Sequence, residues 1–238
     1  MSSQNTQDNT IPVLDHGFVK LVRYLGNDDF ICDFARNSYG KGTKTKRDNE
    51  QLIKYLIEHE HTSPLESVEY VFHIKMPIFV ARQWVRHRTH SMNEYSLRYS
   101  KAIEEFYVPD LNRFKTQSSK NKQMSSEISV PKEVSEEAAK LIRFQGDACF
   151  STYRTLIGMG VARETARLVL PLNTYTMFYW KQNLHNLMHL LKLRTAEDAQ
   201  WEIQQYAKAI CLFVKETCPI AYEAYSAKYF KKEVDTNE

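Results

Sequence analysis

What the sequence lacks sets its first bounds. Its four cysteines, Cys32, Cys149, Cys211 and Cys218, are scattered without a CxxC pair, which points to reduced thiols in a cytoplasmic protein. No basic-then-apolar segment opens the chain, so no export signal is read there. The apolar runs are broken by charge well short of the ~20 residues that a membrane span requires, so no membrane partner is expected. No internal repeat is present. There is little charge of one sign in excess, with 32 basic and 29 acidic side chains for a net +3. That balance excludes a protein whose whole surface coats nucleic acid, and any anion site must be local.

What is there reads as one domain over 13–230, between a loose polar tail at 1–12 and a charged tail at 231–238. The 42% of hydrophobic residues supply a sizeable core. "GFVKLVRYL" (17–25) reads as a strand, and 27–40 as a helix capped by Asn27 or Asp28 and stopped at Gly40. The run "KGTKTKR" (41–47) reads as a solvated loop. Asp48 caps a helix to about Glu60, with Leu52, Ile53, Leu56 and Ile57 inward. "SVEYVFHIKM" (67–76) alternates as a strand does, and Pro77 opens a helix to about residue 88.

Residues 111–129 read as an exposed insertion. A long helix then runs to Gly158, with Ala138, Leu141, Ile142, Ala148, Cys149, Tyr153 and Leu156 inward. A short helix ends near Leu168, and 172–180 is rich in strand formers. Residues 181–193 and 197–216 are helical. Strands and helices do not alternate in βαβ order, so the class is α+β, a mixed or antiparallel sheet flanked by helices.

The stretch "ARQWVRHRTHSMNEYSLRYS" (81–100) is the densest in chemistry. It holds four arginines (Arg82, Arg86, Arg88, Arg98) and two histidines (His87, His90), with Glu94 its only acid. Like charges at neighbouring helical positions repel by roughly 0.2–0.5 kcal/mol per pair, so the cluster needs full solvation or an anionic partner. On a helix Gln83, Arg86 and His87 share one face, while Val80, Trp84 and Val85 turn to the core. Guanidinium forks bind phosphate bidentately, which favours an anion site. A solvated basic face or a nucleic-acid patch, using 41–47 as well, would carry the same residues.

No GxSxG elbow surrounds Ser91 or Ser96, so a hydrogen-bonding role is read for them. Arg163 and Arg167 form a second basic set, and Arg194 ends the helix that carries Asn183, His185 and His189. Arg194 also suits the negative end of that helix. His185 and His189 have zinc-compatible spacing, as do His59 and His61. The glutamate of HExxH and an obvious third ligand are missing, so no metal is assigned.

Several segments together resemble one family. "RHRTHSMNEYS" (86–96) carries the Arg-His-Arg, seven residues, Ser signature of the flavin-dependent thymidylate synthases, and "RQWVRHR" and "LRYS" extend it. "HTSPLE" is similar to that family's His-x-Ser/Thr-Pro segment, "ARNSYGKGTK" to its early segment, and "ARLVLPLNTYT…WKQNLHNLMHLLKLR…AQWEIQQYA" to its C-terminal half. The resemblance covers most of 15–225. It implies a homotetramer of α+β subunits, with active sites shared between subunits, that binds FAD and converts deoxyuridylate (dUMP) to thymidylate. Methylenetetrahydrofolate would supply the carbon and NADPH the reducing equivalents. No cysteine nucleophile and no nucleic-acid partner are implied.

By the same resemblance, FAD falls on His61, Ser63, Arg86, His87, Arg88, Glu94, Asn183, Leu184, His185 and His189. The nucleotide falls on Gln83, Trp84, Val85, Arg86, Glu94, Tyr95, Ser96, Leu97, Arg98, Arg167 and Arg194. Arg194 matches the arginine set against the uracil edge and takes the catalytic role. His189 stands where some relatives carry asparagine.

Overall fold

The computed structural model describes residues 9–38, 48–119 and 121–230. The reading of 41–47 lies outside them, as do 1–8 and 231–238, while the helix read over 27–40 ends at Arg36 with Asn37 as its cap, short of the expected stop at Gly40. Strand β1 (Thr10–Val13) turns back into β2 (Gly17–Leu25), followed by α1 (Asp28–Arg36), α2 (Asn49–Glu58) and the single turn α3 (Ser63–Glu66). Strand β3 (Glu69–Pro77) leads to α4 (Ile78–Trp84) and β4 (His90–Glu94). A hairpin of β5 (Lys115–Gln117) and β6 (Ser125–Ser129) precedes the long α5 (Lys132–Gly158) and the short α6 (Arg163–Ala166). Strand β7 (Tyr175–Asn183) and helices α7 (Leu184–Arg194), α8 (Trp201–Thr217) and α9 (Pro219–Tyr229) complete the order.

Five strands form one antiparallel sheet in the order β1-β2-β3-β7-β4, flanked by helices. The strand alternation places Tyr70, Phe72, Ile74 and Met76 on its inner face, each with no exposed surface. Phe178 and Trp180 of β7 join them there, against Leu187, Leu191, Tyr206 and Ile210 of α7 and α8. Burying a side chain of this kind stabilises by roughly 1.5–3 kcal/mol, which is what holds these amphipathic helices to the sheet. Of the two candidates for the first cap, Asn27 serves, accepting from the amide of Phe30 at 2.9 Å, and the cap expected at Asp48 accepts from Gln51 at 2.8 Å.

Several elements depart from the sequence reading. Thr10–Val13 is a strand paired with β2 rather than part of a loose tail, because its backbone completes the sheet edge. Helix α4 ends at Trp84, short of residue 88: Thr89 adopts φ +62 and turns the chain into β4, the other edge of the sheet. Strand β7 runs on to Asn183, so the following helix starts at Leu184. The inner face of α5 is Gly146, Phe150 and Tyr153, while Leu141 is 59% exposed. The later half of α5 packs into a small second cluster with Ala102 and Ala166, while in the earlier half Ser135 is the buried residue. The insertion at 111–129 contains the β5–β6 hairpin, and most of its residues are exposed.

Helix α9 follows the last helix read from the sequence. Pro219 at its first position carries no amide proton, and the buried Asp28 supplies the missing acceptors for the next two. Its carboxylate accepts from the amides of Ile220 at 2.9 Å and Ala221 at 3.0 Å. Asp28→Ala is expected to lower stability by about 2 kcal/mol, read as a lower urea midpoint at unchanged slope, since two buried donors lose their partner.

Candidate active site

Arg194 closes α7, where the negative end of the helix dipole favours a cation. Its surroundings hold it by neutral groups. The Nε–H donates to His87 Nε2 at 2.7 Å and an Nη2–H to the Gln83 carbonyl at 3.5 Å. Among the described residues no carboxylate pairs with it. Burial lowers the guanidinium's pKa from its usual value. The same burial, reinforced by Arg194 and then His189 and His90, pulls His87 down to about 4. His87 is therefore a neutral acceptor near neutral pH.

The turn that carries His87 is fixed from below. Gln182, 2% exposed on β7, donates from Nε2 to the Arg88 carbonyl at 3.2 Å and accepts from Trp180 Nε1 at 3.2 Å. This pins the backbone of the Arg-His-Arg segment while the Arg86 and Arg88 side chains stay exposed. Neither forms an ion pair among the described residues.

The His87 ring lies 6.5 Å from that of His189. His189 in turn lines a cavity of about 250 Å³ together with His61, Thr62, His185, Lys192 and Tyr229. Three histidines from the candidate set thus meet in one recess, although His61 is separated from the other two by more than a hundred residues of chain. Burial lowers the pKa of His185, against an opposing pull from Glu66. Among the described residues no cluster of three metal-ligating side chains is present.

A second group forms beyond β4. Arg98 pairs with Glu164 at 3.3 Å, and Arg167 donates from Nε to the Glu164 carbonyl at 3.4 Å. Arg163 donates to the Tyr99 carbonyl at 2.7 Å, and Ser96 Oγ accepts from the Arg98 amide at 3.3 Å. Exposed ion pairs contribute about 0–1 kcal/mol, so Glu164 is only weakly held at Arg98. Glu94, at the end of β4, accepts from Thr176 Oγ1 at 2.6 Å rather than tethering an arginine. Among the described residues no hydrogen bond or ion pair joins this group to Arg194 and His87.

Some candidates have no side chain to offer. Trp84 and Leu184 are fully buried, and Val85 packs against the same core. Leu97 packs into the second cluster, and the Tyr95 hydroxyl is used on the Lys101 carbonyl at 2.8 Å. Asn183 is the cap of α7, its Oδ1 accepting from the Asn186 amide at 3.0 Å, instead of a residue within that helix. Ser63 is exposed at the start of α3. Sequence reasoning missed Gln182, Lys192 and Tyr229, and also Gln200, which accepts from the Gln83 side chain. Pro219 after Cys218 was the available signal for α9 and so for Tyr229; Gln182 has none, because its role depends on the β4–β7 pairing.

The cysteines stay out of this chemistry. Burial pushes the thiols of Cys32, Cys211 and Cys218 up to about 11, so none is a ready thiolate.

Comparison with known proteins agrees with this geometry. Residues 20–220 match the model of the Thy1 family, described as thymidylate synthase complementing protein. A flavin-dependent thymidylate synthase of Thermus thermophilus is 56% identical over 216 residues, covering 91% of this chain and 78% of the relative. One from Rickettsia prowazekii is 48% identical over 228 residues, with the same coverage of 91% and 78%. Among solved structures, the UMP/dUMP methylase PolB of Streptomyces cacaoi, bound with 5-Br UMP, superposes with a TM-score of 0.82 at 31% identity. That likeness covers 92% of this chain and 97% of PolB. The chain therefore belongs to the thymidylate synthase complementing family, whose members include these flavin-dependent thymidylate synthases.

Proposed function

We propose that this protein converts dUMP to thymidylate, with FAD as its bound flavin, methylenetetrahydrofolate as carbon donor and NADPH as reductant. It does so as a cytoplasmic homotetramer, each subunit a single domain that includes β1 and so runs over 10–230. The observation that carries the reading is Arg194, a half-buried guanidinium held by neutral acceptors beside a recess lined by histidines. The relatives' names support a flavin, and PolB's bound nucleotide supports a pyrimidine monophosphate.

The residues present suit such ligands. His61, Ser63, His185 and His189, with the exposed Arg86 and Arg88, offer ring edges and cations to a flavin and its pyrophosphate. When bound, FAD supplies the hydride chemistry. The protein's own task is to hold and polarise the nucleotide. Ser96, Arg98 and Arg167 take its phosphate, Gln83 and Glu94 orient it, and Leu97 contributes through its backbone. Trp84, Val85, Tyr95 and Leu184 act through backbone alone, and Asn183 keeps its capping bond. Arg194 stabilises negative charge at N3 of the pyrimidine and so activates the C5–C6 bond.

Active sites shared between subunits are part of this proposal. Exposed Leu141, Phe144, Leu168 and Leu172 supply apolar surface for such assembly.

The purified protein is expected to be yellow, with flavin absorbance, and to oxidise NADPH only when dUMP is present. A colourless protein whose affinity for polynucleotide falls steeply with salt would favour the nucleic-acid reading instead.

A further inference from the structure

We propose that His87 is a positioning residue for Arg194: its imidazole Nε2 accepts the guanidinium Nε–H and fixes the plane in which the remaining donors meet the pyrimidine. This rests on the catalytic reading of Arg194, and it departs from the resemblance, which places His87 on the flavin.

The geometry is specific. Arg194 Nε sits 2.7 Å from His87 Nε2, the distance of a good charge-assisted bond, and the Gln83 carbonyl at 3.5 Å weakly restrains the far nitrogen. Of the five N–H donors of a guanidinium, these two contacts use two and leave three for a ligand. His87 is 7% exposed, in a turn whose carbonyl at Arg88 is tied to the buried Gln182. The acceptor cannot wander, so neither can the arginine.

The choice of an imidazole has a physical reason. A carboxylate would orient the guanidinium equally well but would neutralise the charge that is needed at the pyrimidine. A neutral ring orients it and leaves the charge whole. The ring must present its Nε2 lone pair, so its proton belongs on Nδ1. Burial and the neighbouring cation keep the ring unprotonated near neutral pH.

The test compares His87→Phe, which keeps a ring but has no acceptor, with His87→Gln, whose amide oxygen restores one. Both are made in the holoenzyme. For His87→Phe, kcat should fall roughly thirtyfold, the order expected for losing a bond to a charged group, while KM for dUMP and flavin bound per subunit change less than about threefold. His87→Gln should recover to within about fivefold of wild type. Wild-type kcat in His87→Phe would overturn the proposal, as would loss of flavin with kcat restored by added FAD, which would return His87 to the cofactor.

Arg194→Ala separates the two claims. If it stays active, the catalytic reading has failed; if it is inactive while His87→Phe is fully active, only the positioning role has. Should the variants fold poorly, ¹⁵N resonances of the wild-type imidazole at neutral pH decide the matter. An unprotonated Nε2 is expected, and a proton on that atom would refute the assignment.

Discussion

Arg194→Ala is expected to reduce thymidylate formation by roughly 10²–10³-fold, the loss seen when one preorganised electrostatic donor is removed from an active site. The residue has three properties that make so large an effect reasonable. It is half-buried, so its field is less screened than that of Arg86 or Arg88. It is held by His87 and the Gln83 carbonyl, so little reorganisation remains when substrate arrives. Among the described residues no carboxylate dilutes its charge. The recess proposed for the flavin is lined by other side chains, His61, His185 and His189, so flavin absorbance per subunit should be unchanged. Product formation measured by chromatography, beside the visible spectrum, checks both halves. Survival of turnover would remove Arg194 from the chemistry.

Gly17→Ala is expected to destabilise the fold by about 2–4 kcal/mol. A Cβ at this position would lie 2.6 Å from the Val13 carbonyl and 2.8 Å from that of Lys75, both backbone atoms, and would overlap the Tyr206 hydroxyl. Val13 is its partner in the β1–β2 pairing and Lys75 lies on β3, so relieving the overlap means parting strands. The Tyr206 hydroxyl would also lose its 2.8 Å bond to the Lys75 carbonyl, adding about 1 kcal/mol to an overpacking penalty that typically reaches 1–3 kcal/mol. Urea denaturation should show a much lower midpoint. A midpoint near that of wild type would mean that β1 yields more easily than its contacts imply.

Local chemistry made much of this legible. The alternation in β3, the caps at Asn27 and Asp48 and the apolar face of α2 are set by neighbouring residues, and the structure has each. What stayed hidden depends on distant partners. β4 reads as a loop because its five residues become a strand only against β7. The outward Leu141 fits an amphipathic pattern, and only the tertiary arrangement leaves it exposed. For the site, the residue types and their grouping were visible in the sequence. The bond from Arg194 to His87 was not, since 107 positions separate the two.

The seat that Asp28 provides for α9 has a bearing on synthesis. Its bonds span 192 and 193 positions, so these bonds form only once α9 has docked. Closing so long a loop is entropically slow relative to local contacts. During synthesis, then, α9 is expected to dock after the local elements around Asp28 have formed.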